Sequence, residues 1–406
     1  MARSRSRAKQ KPPVEYSLLL TATLCLLAFG AVMVYSASSA ESLLGPNGDP
    51  SYFLKRYLMF GALGLGALWV ASRHGLKLVR AATPVLLVVS FAATLAVMVP
   101  GVGVSVNGAT RWIGAGPLQF QPSELLKVAL VLYAAQVLAV RGPVMKPVLL
   151  VVGSACVLLI AQPDMGTAMV TCFAITALLV AAGVPIRQLA LVFGVLAFLA
   201  LVLAVAEPYR RDRLLSFVDP WSDATGSGFQ AVQAMIAMGS GGIFGVGLGE
   251  SVQKIFYLPE AHTDMILAII GEELGLLGVA GVVSLYGLIA YGGLRAGKQA
   301  RDRHSKLLAA GITSLILCQA VLNFFAVMGL APLTGVPLPF LSYGGSNMIV
   351  LLGAMGLLLN IAGAGGRVAL RSVDGERGRR AEGRDRGRRD GRARRAGAGS
   401  RRRAAG

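Results

Sequence analysis

Apolar residues run along this chain in long blocks rather than alternating with polar ones, and the blocks recur from residue 17 to residue 362. A helix rising about 1.5 Å per residue crosses a hydrocarbon layer ~30 Å thick with roughly 17 to 25 apolar residues. Ten blocks approach or meet that length: 17–36, 52–71, 81–99, 123–140, 146–161, 163–182, 186–206, 264–291, 306–328 and 341–362. The fifth and sixth are separated only by Ala161-Gln162-Pro163-Asp164. A carboxylate is costly inside a membrane helix, whereas proline in a first turn with aspartate beside it suits a helix start, so the pattern predicts a break and a new helix opening at Pro163. The first block follows a basic arm and precedes Ser36-Ala37-Ser38-Ser39-Ala40, as in a cleaved leader, but its run of about 20 apolar residues exceeds a usual leader core and predicts a retained helix.

Lysine and arginine in short loops mark the cytoplasmic side. The basic arm, Arg73-Lys77-Arg80, Arg141-Lys146, Arg187 and the run Arg295 to Lys306 alternate with poorer loops. Both termini are therefore expected in the cytoplasm, and the long segment 207–263 outside. The chain divides into a basic arm (1–15), an all-α membrane domain of ten helices (16–363) and an Arg-rich tail (364–406) expected to be disordered.

Composition sharpens this. With 55% hydrophobic and 15% charged residues, the chain is too apolar for a soluble fold. Its formal charge is +19, and from Arg367 onward fifteen arginines face five acids, about half of that excess. A tail held near anionic membrane lipids accounts for this without a nucleic-acid partner. Cys25, Cys156, Cys172 and Cys318 all fall inside apolar blocks without motif spacing, as small buried hydrophobes do.

The four loops expected outside carry nearly all the unusual polar patterns. After the third block, Arg111 and Trp112 suit an interfacial anchor, and Glu124 and Lys127 lie three apart on one helical face, where they can pair at the membrane boundary, as part of a site or only as a snorkelling helix-end pair. The long loop holds Arg213, a short surface helix over 229–238, and glycines at 241, 242, 245, 247 and 249. No strand-to-helix unit accompanies these glycines, which excludes a dinucleotide fold; they allow backbone to approach backbone or a ligand phosphate. Pro259 to Asp264 is expected to open the eighth helix, with Glu260, Asp264 and Glu272 descending one face as a cavity wall. The loop before the last block has three prolines and four glycines and predicts a tightly packed or re-entrant segment. A transporter would place ionisable groups near mid-membrane on broken helices, often within an inverted repeat, and no such repeat is present.

The ordered strings RWIGAGPLQFQPSELLK, QPDMGTA, RLLSFVDPWSDATGSGFQ, GVGLGESVQKIFYLPEAHTD, GEELGLLG and PLTGVPLPFLSYGGSN resemble the SEDS family (shape, elongation, division and sporulation) over roughly residues 15–362. The run ESVQKIFYLPEAHTD is more similar to the division and sporulation members than to the elongation member. Met265 stands where a phenylalanine usually follows the aspartate, and Asn347 replaces a common serine.

The resemblance implies a ten-helix fold in the bacterial inner membrane at the division septum, and polymerisation of lipid II into glycan strands with release of undecaprenyl diphosphate. It implies a class B penicillin-binding transpeptidase and other divisome membrane proteins as partners. Asp264 would be the catalytic aspartate, and Arg111, Trp112, Glu124, Lys127, Asp164, Arg213, Gln230, Lys254, Glu260 and His262 would line the substrate cavity. Such a reaction needs a base for the sugar hydroxyl and positive charge for the departing diphosphate, which Asp264 and Arg213 with Lys254 offer, with or without a divalent cation, Mg or Mn; no organic cofactor is expected. A lipid II flippase, an elongation-type polymerase and a structural scaffold are the competing readings.

Overall fold

The chain is described by a computed structural model over residues 12–45, 48–106, 109–115, 118–191, 194, 217–226, 228–255 and 257–364. Nine helices carry the architecture among them: α1 (Val14–Leu44), α2 (Tyr52–Ala96), α3 (Pro122–Arg141), α4 (Lys146–Ala161), α5 (Met165–Ala181), α6 (Phe229–Ser240), α7 (Ile266–Gln299), α8 (Arg303–Val327) and α9 (Gly345–Ala364). Among the described residues seven segments are long and apolar enough to cross a membrane, and α4 and α5 are shorter apolar helices. Residues 186–191 are helical and the rest of the 186–206 block lies largely outside the described residues, an arrangement compatible with ten spans. Arg213 and the tail beyond residue 364 also lie outside the described residues. The core centres on α8, which packs against α3, α5 and α7, while α1 packs on α7.

Three features depart from the sequence pattern. The second and third blocks, Tyr52–His74 and Leu78–Ala96, are not joined by a loop of irregular backbone; both belong to α2. Tyr57 bonds the Phe340 carbonyl and Gln162 bonds that of Thr94, whereas the Ser72 carbonyl meets Asn360 and Arg80 meets Asp302. The chain therefore turns back within α2, so Tyr57 and Thr94 share one end and Ser72 and Arg80 the other. Arginine and lysine are good helix formers, so a basic connection need not unwind the helix.

The loop after the third block folds as a small antiparallel sheet, β1 (Gly103–Val106), β2 (Ala109–Ala115) and β3 (Leu118–Phe120), in the order β1-β2-β3. It sits on a mostly helical fold and fixes Trp112 opposite Val104.

The eighth block is broken. At Gly275 α7 leaves helical geometry with φ 65° and ψ −161°. Breaking a membrane helix frees backbone groups that must find partners. The glycine run supplies them: the amides of Val246 and Gly247 donate to the carbonyls of Glu272 and Glu273 (2.9 and 3.1 Å), and the amides of Leu276 and Leu277 donate to Gly242 and Ile243 (3.0 and 3.3 Å). A β-carbon on Gly245 would collide with the Glu273 carbonyl, and one on Gly275 with the backbone of Ile243 and Gly245. Both residues also have positive φ, so the site needs glycine twice over. The glycines thus bring backbone to backbone.

Candidate functional site

Most of the residues singled out in the sequence gather at the Tyr57–Thr94 end of the helices, in clusters joined by the segment before α9. Asp164 caps the N-terminus of α5, accepting from the Thr167 amide at 3.4 Å. Pro163 is therefore the residue before the cap rather than the first helical residue. The Asp164 carboxylate also accepts from Gln121 and Ser123, both at 3.1 Å, and lies 3.8 Å from the Arg111 guanidinium. Arg111 donates to the carbonyls of Gln162 and Pro163, so β2 is tied to the start of α5.

Glu124 and Lys127 form an ion pair at 3.0 Å, but they do not snorkel: both are buried, Lys127 to 1% exposure. Lys127 donates to Gln319 of α8 at 3.0 Å, and Glu124 accepts from Asn347 of α9 at 2.6 Å. A buried pair needs such extra bonds to offset its lost hydration. Ser346 accepts from the Gln121 amide at 2.9 Å, so the last helix start is bonded to the α3 start.

Asp264 does not lie on a helical face with Glu260 and Glu272. The helix begins two residues later, with Met265 as its cap, and Glu260 sits in a turn at φ 55°. The Thr263 hydroxyl lies within hydrogen-bond distance of both carboxylates, 2.7 Å from Glu260 and 3.2 Å from Asp264. Asp264 is 9% exposed. Its carbonyl accepts from Asn323 of α8 at 2.7 Å, and the same amide group donates to Val336 at 2.9 Å. The Pro- and Gly-rich segment is thereby held in the core, with Gln319 donating to Pro337 at 2.8 Å. This segment links the two aspartate clusters: Gly166, two residues beyond Asp164, abuts Thr334 and Val336, and Gly335 faces Asp264.

Glu272 is likewise not a cavity wall below Asp264, because it accepts from Ser251 and from the Val252 amide. Lys254 pairs with the fully buried Glu273 at 2.9 Å, and Ser36 of α1 donates to the same carboxylate at 2.7 Å. The lysine charge is thus committed to a buried partner. Gln230, on α6, donates to the Pro259 carbonyl at 3.4 Å.

His262 is buried and stacks on Phe53 with ring centroids 4.0 Å apart, with Tyr343 beside it. Burial outweighs the nearby Glu260 carboxylate and holds its pKa down at about 4, so the ring is neutral at pH 7.

Among the described residues no three of His, Cys, Asp and Glu converge as a metal-binding group.

Sequence reasoning missed Gln319, Asn323, Glu273 and Ser36. Two amides four residues apart in the otherwise apolar α8 were a usable signal, since polar groups inside a membrane helix need partners. The Lys254–Glu273 pairing had no local signal, because it joins a loop to a helix across the break.

The sequence model of the family described as "Cell cycle protein", that of FtsW, RodA and SpoVE, matches residues 16–365. The chain is 44% identical to the "Probable peptidoglycan glycosyltransferase FtsW" of Thioalkalivibrio sulfidiphilus, covering 84% of this chain and 88% of the relative. It is 39% identical to "Stage V sporulation protein E" of Bacillus subtilis, over 85% and 96% of the two chains. Among solved structures, a chain from work on "Structural coordination of polymerization and crosslinking by a peptidoglycan synthase complex" matches with a TM-score of 0.70 at 31% identity, over 85% and 96% of the two chains. The rod shape determining protein RodA of Thermus thermophilus matches at 0.62 and 26%, over 85% and 95%.

Proposed function

From the premise that the chain belongs to the FtsW, RodA and SpoVE cell-cycle family, we propose that it polymerises lipid II into septal glycan strands at the outer face of the cytoplasmic membrane. The relatives named FtsW and SpoVE, at about 40% identity, favour a division-type role over the elongation role of RodA, whose structure matches at 26%. The observation that carries the reading is the Asp264 carboxylate, nearly buried yet fixed through its own backbone by Asn323 and facing the segment that also touches the Asp164 cluster.

In the reaction the hydroxyl of an acceptor sugar attacks the anomeric carbon of the donor. A carbon–oxygen bond forms, the bond to the diphosphate breaks with its electron pair, and the hydroxyl proton passes to Asp264. Positive charge for the leaving diphosphate falls to Arg111 and Arg213. Lys254, held by Glu273, and the neutral His262 shape the wall instead. A divalent cation, Mg or Mn, would add charge compensation at the diphosphate, held by that group and Asp264. The partner is a class B penicillin-binding transpeptidase that cross-links the product, and both termini are cytoplasmic.

Asp264→Asn keeps size and hydrogen-bonding capacity while removing the charge. Purified protein carrying it should remain folded and make glycan polymer at least 10²-fold more slowly, the range about 10² to 10⁴ being typical for a lost base. Near-normal polymerisation would remove Asp264 from the chemistry. Absence of polymer from the native chain, with and without its transpeptidase, would favour a flippase instead.

A further inference from the structure

Each glycosyl transfer leaves the proton of the acceptor hydroxyl on Asp264, and that proton must leave before the next transfer. Asp264 is 9% exposed, and its open edge is the one an acceptor sugar must occupy. Behind it stands Thr263, a residue with no part in the chemistry above. The Thr263 hydroxyl oxygen lies 3.2 Å from the Asp264 carboxylate, 2.7 Å from the Glu260 carboxylate and 3.1 Å from the Glu260 carbonyl. Burial falls along this row: Asp264 is buried, Thr263 half-buried and Glu260 exposed.

A hydroxyl has one proton to donate and two lone pairs with which to accept. While both carboxylates are ionised, that proton serves one of them, and the other meets the hydroxyl oxygen with no hydrogen between them. Once Asp264 is protonated, its O–H donates to Thr263 and Thr263 donates to Glu260, so each contact carries one hydrogen. The same holds with the proton on Glu260 and both bonds reversed. The contacts among these three side chains are thus complete with one added proton, at either end of the row. The backbone fixes the row in place. Glu260 sits at φ 55°, a conformation costly for any residue but glycine, with its carbonyl accepting from the amides of Thr263 and Met265 at 3.1 and 3.3 Å. Asn323 holds the other end through the Asp264 carbonyl.

We propose that Thr263 relays the proton from Asp264 to Glu260, an inference that rests on Asp264 being the base. The Asp264 O–H bond breaks as its proton joins the Thr263 oxygen, and the Thr263 O–H bond breaks as its own proton joins Glu260. One proton thereby passes from the buried carboxyl to the exposed one, which gives it to water. Rotation of the Thr263 hydroxyl then resets the row.

The test is lipid II polymerisation by the purified full-length chain with its transpeptidase. Thr263→Val keeps the branched shape and removes the hydroxyl; Glu260→Gln keeps the size and removes the terminal proton acceptor. Each should slow steady turnover about tenfold, less than the loss at Asp264 because the base remains, while the lipid II concentration for half-maximal rate changes less than twofold. Thr263→Ser should recover most of the rate. Imidazole, a small soluble base, should raise the turnover of Thr263→Val and Glu260→Gln severalfold as its concentration rises, and leave Asp264→Asn inactive. Glu260→Gln lies at the exposed end, so it carries the test if Thr263→Val folds poorly. Slow variants that imidazole does not restore would make the hydroxyl a holder of Asp264 only and overturn the relay, as would near-native turnover in both, with Asp264→Asn inactive in either case. An active Asp264→Asn instead removes the base itself, and the relay with it.

Discussion

Asn323 makes both of its amide hydrogen bonds to backbone carbonyls, one of Asp264 and one of Val336, and in doing so sets where the aspartate stands relative to the segment it faces. Asn323→Ala would leave two buried carbonyls without donors, each costing about 1–3 kcal/mol. The expected result is a less stable protein whose turnover falls more than tenfold while the lipid II concentration for half-maximal rate changes little, because the substrate contacts stay in place. An unchanged turnover number in a folded variant would make Asn323 merely structural. His262 offers a pH test at the same scale. Its folded pKa, about 4, lies below the ordinary value near 6.5, so between those values the unfolded chain binds more protons. Its contribution to stability is then flat above about pH 6.5, falls as pH drops towards 4, and levels off below. His262→Phe keeps the stack on Phe53 and removes the titration, so the melting temperature of the variant should gain on the native protein only between pH 6.5 and 4. A difference that stays constant across pH would mean the ring titrates alike in the folded and unfolded chains.

Helices were the most legible elements because about twenty apolar residues in a row leave the backbone no partner but itself in lipid. What the sequence hid lies where two remote segments share their hydrogen bonds. The break at Gly275 looks like one more glycine in an apolar helix until Gly242 to Gly247 are laid beside it, and the expected acidic face fails because α7 starts at Ile266. The β-sheet was masked by strands of three to seven residues inside a polar loop. Among candidate site residues, Asp164 was legible as lying at a helix start from Pro163 beside it, although the helix opens at Met165 rather than at Pro163, whereas Lys254 read as a free cation because Glu273 is nineteen residues away. That pair also separates structure from chemistry. Glu273→Gln alone strands a buried ammonium and should cost about 3–5 kcal/mol. Replacing both partners by apolar residues, Lys254→Met with Glu273→Leu, should recover most of the stability seen by thermal denaturation. Polymerisation by that double variant at near-native rate would confine Lys254 to holding the loop on α7, and a stable but inactive double variant would return its charge to the diphosphate.

At the scale of the whole molecule, the function stands on sidedness. The Asp264, Asp164 and Glu124 clusters share one end of the helices, and the Arg80–Asp302 and Arg295–Glu15 pairs lie at the other. Basic residues concentrate at the second end, which the proposed orientation, argued from the charge asymmetry of short loops, puts in the cytoplasm. Lipid II polymerisation outside the cell then requires the first end to face outward, and reversing the molecule would remove the proposed chemistry altogether. Two exposed positions report this directly: Ser222, in the short helical turn Pro220–Asp223, and Arg301, between α7 and α8. The natural cysteines fall within α1, α4, α5 and α8. An impermeant maleimide added to intact cells should therefore label Ser222→Cys and spare Arg301→Cys, which reacts only after lysis. The opposite pattern would place Asp264 in the cytoplasm, where a polymerase of exported precursor has no substrate.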